Sequence, residues 1–400
     1  MTSHQEDSDG VSQRAPHARN GSSFALDWRT AVKEAIQDIL CCEESHTAPD
    51  LVVMFIATTW SDAYEEIITR VRTETGCRTL IGCSSSGVIS GSACHESAPG
   101  ISLLAMWLPD AILTPWYIDS VPTGWPWPQP ATPESVRGII LFSDPYRTDA
   151  QTTLVALRQS CPGIPMVGAL ASTTRMDRHS WVFLNDAVYE SGAVALTLEG
   201  PYDLVVCVSQ GATPIGEMWT VTATNHNQIL SISNRPALEV LHDTIDRLPP
   251  RDYDLNNLLI GFPMDEYQDA FEREDFVARG ILGVEPATGS IMVGGIPRLG
   301  QSIQFLERDP HAASVDLYER LEMFDEIQGT IVGGILNTCK TRGTTIFGRN
   351  DHDVTAVARA LPDVPVVGFY SLGELGPVRG IPAYNAFAVS LGVIIARESL

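Results

Sequence analysis

The sequence predicts an α/β fold: repeated strand–helix–strand units forming two related α/β domains with mixed sheets. Three observations predict it. Continuous apolar runs of strand length recur along the chain, the pattern of strands buried on both faces. Each first run is followed by a helical stripe and then by a second strand that enters a turn of small residues. The spacing repeats as well: 31 positions separate Leu51 from Gly82, 30 separate Gly138 from Gly168, and 38 separate Thr330 from Gly368. Three units sharing a strand–Gly–small turn at one place argue for internal duplication.

Taken in order, the polar stretch before about Ser23 reads as disordered. From Trp28 the apolar residues Ala31, Val32, Ala35, Ile36, Ile39 and Leu40 mark one face of a helix. LVVMFIA (51–57) is the first strand, Ser61 and Asp62 open a helix, and RTLIGCSSSGVISG carries the second strand into its turn. SLLAMWL (102–108) is the strand after it. A Pro-rich connector (123–135) leads to unit two: GIILFSD, the helix TDAQTTLVALRQ, IPMVGALAS and GAVALTLEG. The GALAS turn reads as mainly structural. After residue 200 come strand-like runs, and Asn234, Arg235 and Pro236 open a helix with Pro at its first position. Strand-like segments broken by Gly and Pro fill 255–308. Unit three is TIVGGILNT, the helix DVTAVARAL, VPVVGFYSLGELG and AFAVSLGVII. The expected division is a disordered tail (1–24), an N-terminal domain (25–235) and a C-terminal domain (236–400).

Composition narrows the function classes. The 400 residues carry 49 acidic and 26 basic side chains, a formal charge of -23, which repels nucleic-acid backbones and anionic lipid. No nucleic-acid or membrane partner is expected. The first residues lack the apolar core of a secretory signal, and eight scattered cysteines without paired metal spacing read as reduced thiols, so a cytoplasmic location is expected. No metal or other cofactor is expected.

The chemistry concentrates in unit three. NTCKTRGTTIFGRNDHDV (337–354) follows a buried strand, where open α/β sheets bind ligands. Arg342 is a forked cation suited to a carboxylate, and Glu374, in the turn that follows the partner strand, is an anion suited to an ammonium group. A free amino acid satisfies both; the competing structural reading pairs Arg342 with Glu374. Cys339 with His352 as base is the enzymatic alternative, set against Asn350 and Asp351 as simple helix caps. The serines of GCSSSG lack nucleophile-elbow spacing and read as turn or ligand donors.

LIGCSSSGVISG, SQGATPIG, QFLERD, CKTRGTTIFG and GFYSLGELGP, in this order, resemble the FIST proteins, with paired N- and C-terminal FIST domains, from about residue 25 to the end. The resemblance implies a sensory, small-ligand-binding module, for an amino acid or similar polar metabolite, working with a signalling protein partner. The positions it marks are Cys339, Arg342, Gly343, Gly373, Glu374 and Gly376, with Gly82, Cys83, Ser84, Gly87, Gln210, Gly211, Pro214 and Gly216 in the N-terminal half. The expected ligand-binding set is Cys339, Arg342, Gly343, Gly373, Glu374, Cys83, Ser84, Ser85 and Gln210, with no catalytic residue. No kinase, cyclase or receiver pattern accompanies it, and the segment before Trp28 is too short and polar for the F-box of eukaryotic relatives. A protein-interaction adaptor related to the F-box-type FIST proteins stands as the other alternative.

Overall fold

A computed structural model describes residues 15–41, 47–119, 134–249, 254–268 and 270–397. It is a mixed α/β structure, and its three sequence units build three six-stranded sheets with one strand order. In each sheet a parallel pair forms the centre. These pairs are Leu51–Ala57 with Thr79–Ser85, Gly138–Ser143 with Met166–Leu170, and Thr330–Cys339 with Val366–Ser371. The first member of each pair also binds, antiparallel, the unit's last strand: Ile101–Trp107, Ala193–Glu199 or Ala388–Ala396. An edge strand closes that side: His17–Ser23, Ile112–Ile118 or Tyr202–Gln210.

The other side is completed by exchange. The short hairpin of unit one, Val88–Ser90 with Ala93–His95, joins the sheet of unit three. Val182–Leu184 with Ala187–Tyr189, from unit two, joins the sheet of unit one. Glu374–Val378 with Ile381–Asn385, from unit three, joins the sheet of unit two. The exchange is cyclic, so the three units interlock.

The repeated glycines have one physical cause. Gly82, Gly168 and Gly368 sit opposite Met54, Leu141 and Leu336 in their parallel pairs. A Cβ at any of the three would lie 1.8 Å from that residue's carbonyl oxygen. Only glycine permits so close a backbone approach.

The inner faces of the three sheets share one apolar core, in which Phe55 packs 5.2 Å from Phe142 and 4.6 Å from Phe369 between ring centres. Helices cover the outer faces. Helices α1 (Trp28–Leu40) and α2 (Tyr64–Thr75) cover the first sheet, and α3 (Ala150–Ser160) the second. The stripe read from sequence is the buried face of α1, and Asp27 caps its start by accepting from the Thr30 N–H. A fourth, antiparallel seven-stranded sheet is inserted into unit three, from Ala212–Asn225 to Ser302–Arg308, and packs on α4 (Ala237–Asp246). After it come α5 (Pro310–Leu321), the single turn α6 (Thr344–Phe347) and α7 (His352–Ala360). Helices α5 and α7 cover the third sheet.

Three local expectations change. His17–Ser23 is a strand, not part of a disordered tail; its backbone pairs along Ile101–Trp107, and Gly21 lets it press on the Ala35 carbonyl of α1. Backbone pairing needs no apolar pattern, so a polar segment can form a strand here. Residues 1–14 lie outside the described residues, as does most of the Pro-rich connector. Thr58–Ala63 is 3₁₀ and α2 begins only at Tyr64, while Pro236 caps α4 rather than opening it. Among the described residues no helix is long and apolar enough to cross a membrane.

Candidate functional site

The cyclic exchange brings the three small-residue turns together. Ser172, beyond the second unit's strand, is the hub. Its hydroxyl donates to the Tyr370 carbonyl and accepts from the Ser86 N–H at 2.8 Å, and its N–H donates to the Ser84 carbonyl at 3.3 Å. Ser84 Oγ donates to the Ser172 carbonyl at 3.3 Å and accepts from the Trp181 N–H at 3.0 Å. Leu170 donates to the Gly373 carbonyl at 2.8 Å, and Leu372 donates back to the Leu170 carbonyl. The GALAS turn therefore joins the other two, which its apolar sequence did not announce.

Beside this knot lies a buried polar centre built by unit three. Cys339 ends its strand opposite Ser371, and its sulfur lies 3.2 Å from Thr341 Oγ1. Glu374 is fully buried; it accepts from Ser371 Oγ at 2.5 Å and from the Ala388 N–H at 3.1 Å. Burial pushes its pKa up to about 8 against these two donors and the charge of Arg342. Burial also pushes the Cys339 thiol up, and Glu374 adds to that rise. Both effects favour the protonated thiol.

Two side chains that sequence reasoning missed complete the centre. Asn385 stands opposite Glu374 in the antiparallel hairpin, buried, with neither amide atom partnered. Arg308 ends the strand from the inserted sheet, and its buried Nε has no hydrogen-bond partner. Burial lowers its pKa, and it senses the charges of Cys339 and Glu374. Phe387 lies near two guanidinium groups, with Arg308 at 5.5 Å and Arg342 at 5.4 Å from its ring centre, and sits in the left-handed region at φ 58°. A bulky residue at positive φ stores strain, and such strain gathers at ligand sites. Asn385 gave no signal and Phe387 was read only as part of the strand AFAVSLGVII; Arg308 lies within the QFLERD stretch that the resemblance had already marked.

Arg342 is not a free anchor. Its Nε and Nη2 donate to Asp353 Oδ2 and Oδ1, both at 2.9 Å, and both residues are buried. Burial works against both charges, yet each holds the other ionised: Asp353 sits well below the carboxylate range and Arg342 above its ordinary value. The Arg342–Glu374 pair read from sequence is therefore replaced by Arg342–Asp353, and Arg308 is the cation with an unused donor. Nor do Cys339 and His352 form a dyad: His352 bonds Asp353 Oδ1 and Ser314 Oγ, each at 2.9 Å.

The remaining marked residues divide. Gly343 leaves room for Glu96, which accepts from the Thr344 N–H at 3.1 Å; a Cβ there would lie 2.3 Å from Glu96 Oε1. Gly373 packs against Leu170. Gln210 donates its N–H to Asp316 at 2.8 Å, and Gly211 beside it gives space to Arg342 and Phe387. Cys83 lies in the shared apolar core, and burial pushes its thiol up. Ser85 Oγ is buried and unpartnered beside Ser86.

Family models for the FIST N domain and the FIST C domain match residues 50–235 and 237–377. An uncharacterized protein of Mycobacterium tuberculosis is 32% identical over 391 residues, covering 94% of this chain and 98% of its own. An uncharacterized protein of Mycobacterium bovis is 29% identical over 362 residues, 87% of this chain and 91% of its own. Among solved structures, a cyanuric acid hydrolase from A. caulinodans aligns over 96% of this chain and 100% of its own at 8% identity and a TM-score of 0.33.

Proposed function

The chain belongs to the FIST family, with a FIST N domain followed by a FIST C domain, and on that premise we propose that it is a sensory protein whose Glu374 centre binds an amino acid or similar small polar metabolite. The centre binds this ligand rather than transforming it. The observation that carries the reading is Asn385: a buried amide with both polar atoms unpartnered stands opposite a buried carboxyl group. Buried polar atoms are nearly always paired, so their partners belong to something that enters the site. Glu374 matches an ammonium group, Arg308 a carboxylate, and Asn385 offers both donor and acceptor. A second protein, read from the family resemblance, carries the signal onward.

Thermal-shift measurement against a panel of amino acids and related metabolites tests this. A true ligand at 100 times its Kd stabilises the fold by about 2.7 kcal/mol, and Asn385→Leu and Arg308→Met both remove that shift. If no compound moves the melting temperature, or if both variants respond as the wild type does, the assignment is wrong.

A further inference from the structure

A second constellation lies on the outer side of the third sheet, where α5 meets α7. Ser314 Oγ is 2.9 Å from His352 Nε2, and His352 Nδ1 is 2.9 Å from Asp353 Oδ1. The tautomer follows from the partners. Asp353 stays ionised, so it only accepts and Nδ1 must donate to it; in the neutral imidazole Nε2 then carries a lone pair facing the Ser314 hydroxyl. That is the order of groups a serine nucleophile requires: a hydroxyl, a base, and a carboxylate that fixes the base's orientation. Asp353 is itself fixed by Arg342 and by Thr338 Oγ1, which donates to Oδ2 at 2.5 Å.

The surroundings suit a substrate. Ser314 and His352 are half-buried, so the hydroxyl is reachable and the imidazole partly shielded. Phe347 stacks on the imidazole at 3.7 Å, and the exposed Tyr318 ring lies 6.5 Å from it, edge to face. These rings form an apolar wall next to the hydroxyl. His352 and Asp353 are also the first residues of α7, whose N-cap Asp351 makes no side-chain bond to it. The first-turn N–H groups have no partner within the helix, and groups of this kind can donate to a developing oxyanion.

We propose that Ser314, His352 and Asp353 form an acyl-transfer site that hydrolyses uncharged esters or thioesters with an apolar acyl group. Ser314 Oγ bonds to the carbonyl carbon as its proton passes to His352 Nε2. The carbonyl–oxygen or carbonyl–sulfur bond then breaks, and the leaving group takes that proton. Water, deprotonated by the same nitrogen, next releases the acid and restores the serine. Arg342 neutralises much of Asp353, so the carboxylate orients the ring more than it strengthens it as a base. Turnover is accordingly slow.

The full chain is treated with a fluorophosphonate probe and, separately, with p-nitrophenyl acetate. The expected result is a single covalent adduct that peptide mass spectrometry places on Ser314. Ser314→Ala abolishes it, and His352→Gln slows its formation at least 100-fold while circular dichroism shows both variants folded. Hydrolysis of the ester falls to the uncatalysed rate in Ser314→Ala. An adduct on any other residue, or labelling and hydrolysis in wild type equal to those of Ser314→Ala, overturns the proposal.

Discussion

Replacing Glu374 with Gln tests the electrostatics of the ligand centre through stability alone. Glu374 has an ordinary pKa of 4.5 and a folded value of about 8, raised first by burial. The native state therefore holds a proton that the unfolded chain has released, at every pH between those values. Stability from this group is fully present below pH 4.5 and is lost as pH rises through 8. At about 1.36 kcal/mol per pH unit, the rise corresponds to a loss of up to ~5 kcal/mol across the window. A glutamine keeps an acceptor for the Ala388 N–H and a shape close to the neutral acid, but it does not titrate. The assay is urea unfolding of wild type and Glu374→Gln at intervals from pH 4.5 to 8.5. Other titrating groups cancel in the difference. The two proteins should be close in stability at pH 4.5, with the variant several kcal/mol the more stable at pH 8.5. A difference that stays flat, or that moves in favour of the wild type as pH rises, refutes the claim that burial dominates at Glu374.

The same reasoning gives binding a signature: a ligand ammonium draws Glu374 into its ionised form, so binding at pH 7 releases close to one proton. Calorimetry in buffers of different ionisation enthalpy measures it, and identical heats would contradict it. Arg342→Met leaves Asp353 buried without its cation and should cost about 3–5 kcal/mol in denaturant unfolding, whereas Arg342→Met combined with Asp353→Leu should recover most of that loss. Gly82→Ala, Gly168→Ala and Gly368→Ala each force a methyl group against a carbonyl oxygen, so each should lose about 1–3 kcal/mol or more by chemical denaturation. Cys339 should react with iodoacetamide far more slowly in the folded protein than exposed Cys41 does, measured by mass spectrometry of the modified peptides.

What could be read in the sequence follows physical rules of short reach. Parallel strands buried on both faces must be apolar throughout, so Leu51–Ala57 and Gly138–Ser143 declare themselves. The Gly82, Gly168 and Gly368 repeat was visible because one backbone contact recurs three times. The exchanged hairpins were not legible: Val88–Ser90 and Val182–Leu184 are three residues each, too short to show alternation, and their partners lie in other units. At the site, unit three was singled out on charge, and Glu374 sits buried at its centre. The partner of Arg342 was misread because Asp353 lies in NDHDV, where every acidic residue also suits a helix start. Arg308 reaches Glu374 only through tertiary packing, and Asn385 through the register of a hairpin that the apolar periodicity of the sequence does not mark.

The cyclic exchange also sets a timetable for synthesis. The hairpin at Val88–His95 leaves the ribosome early, but the sheet that receives it needs Ala388–Ala396, which sits between Tyr202–Gln210 and Thr330–Cys339. The second sheet waits for Ile381–Asn385. Both strands lie beyond residue 377, where the FIST C match stops. A fragment cut at that boundary would expose unpaired backbone in two sheets, so the nascent chain must hold open edges, the usual seeds of aggregation, until its last strands arrive.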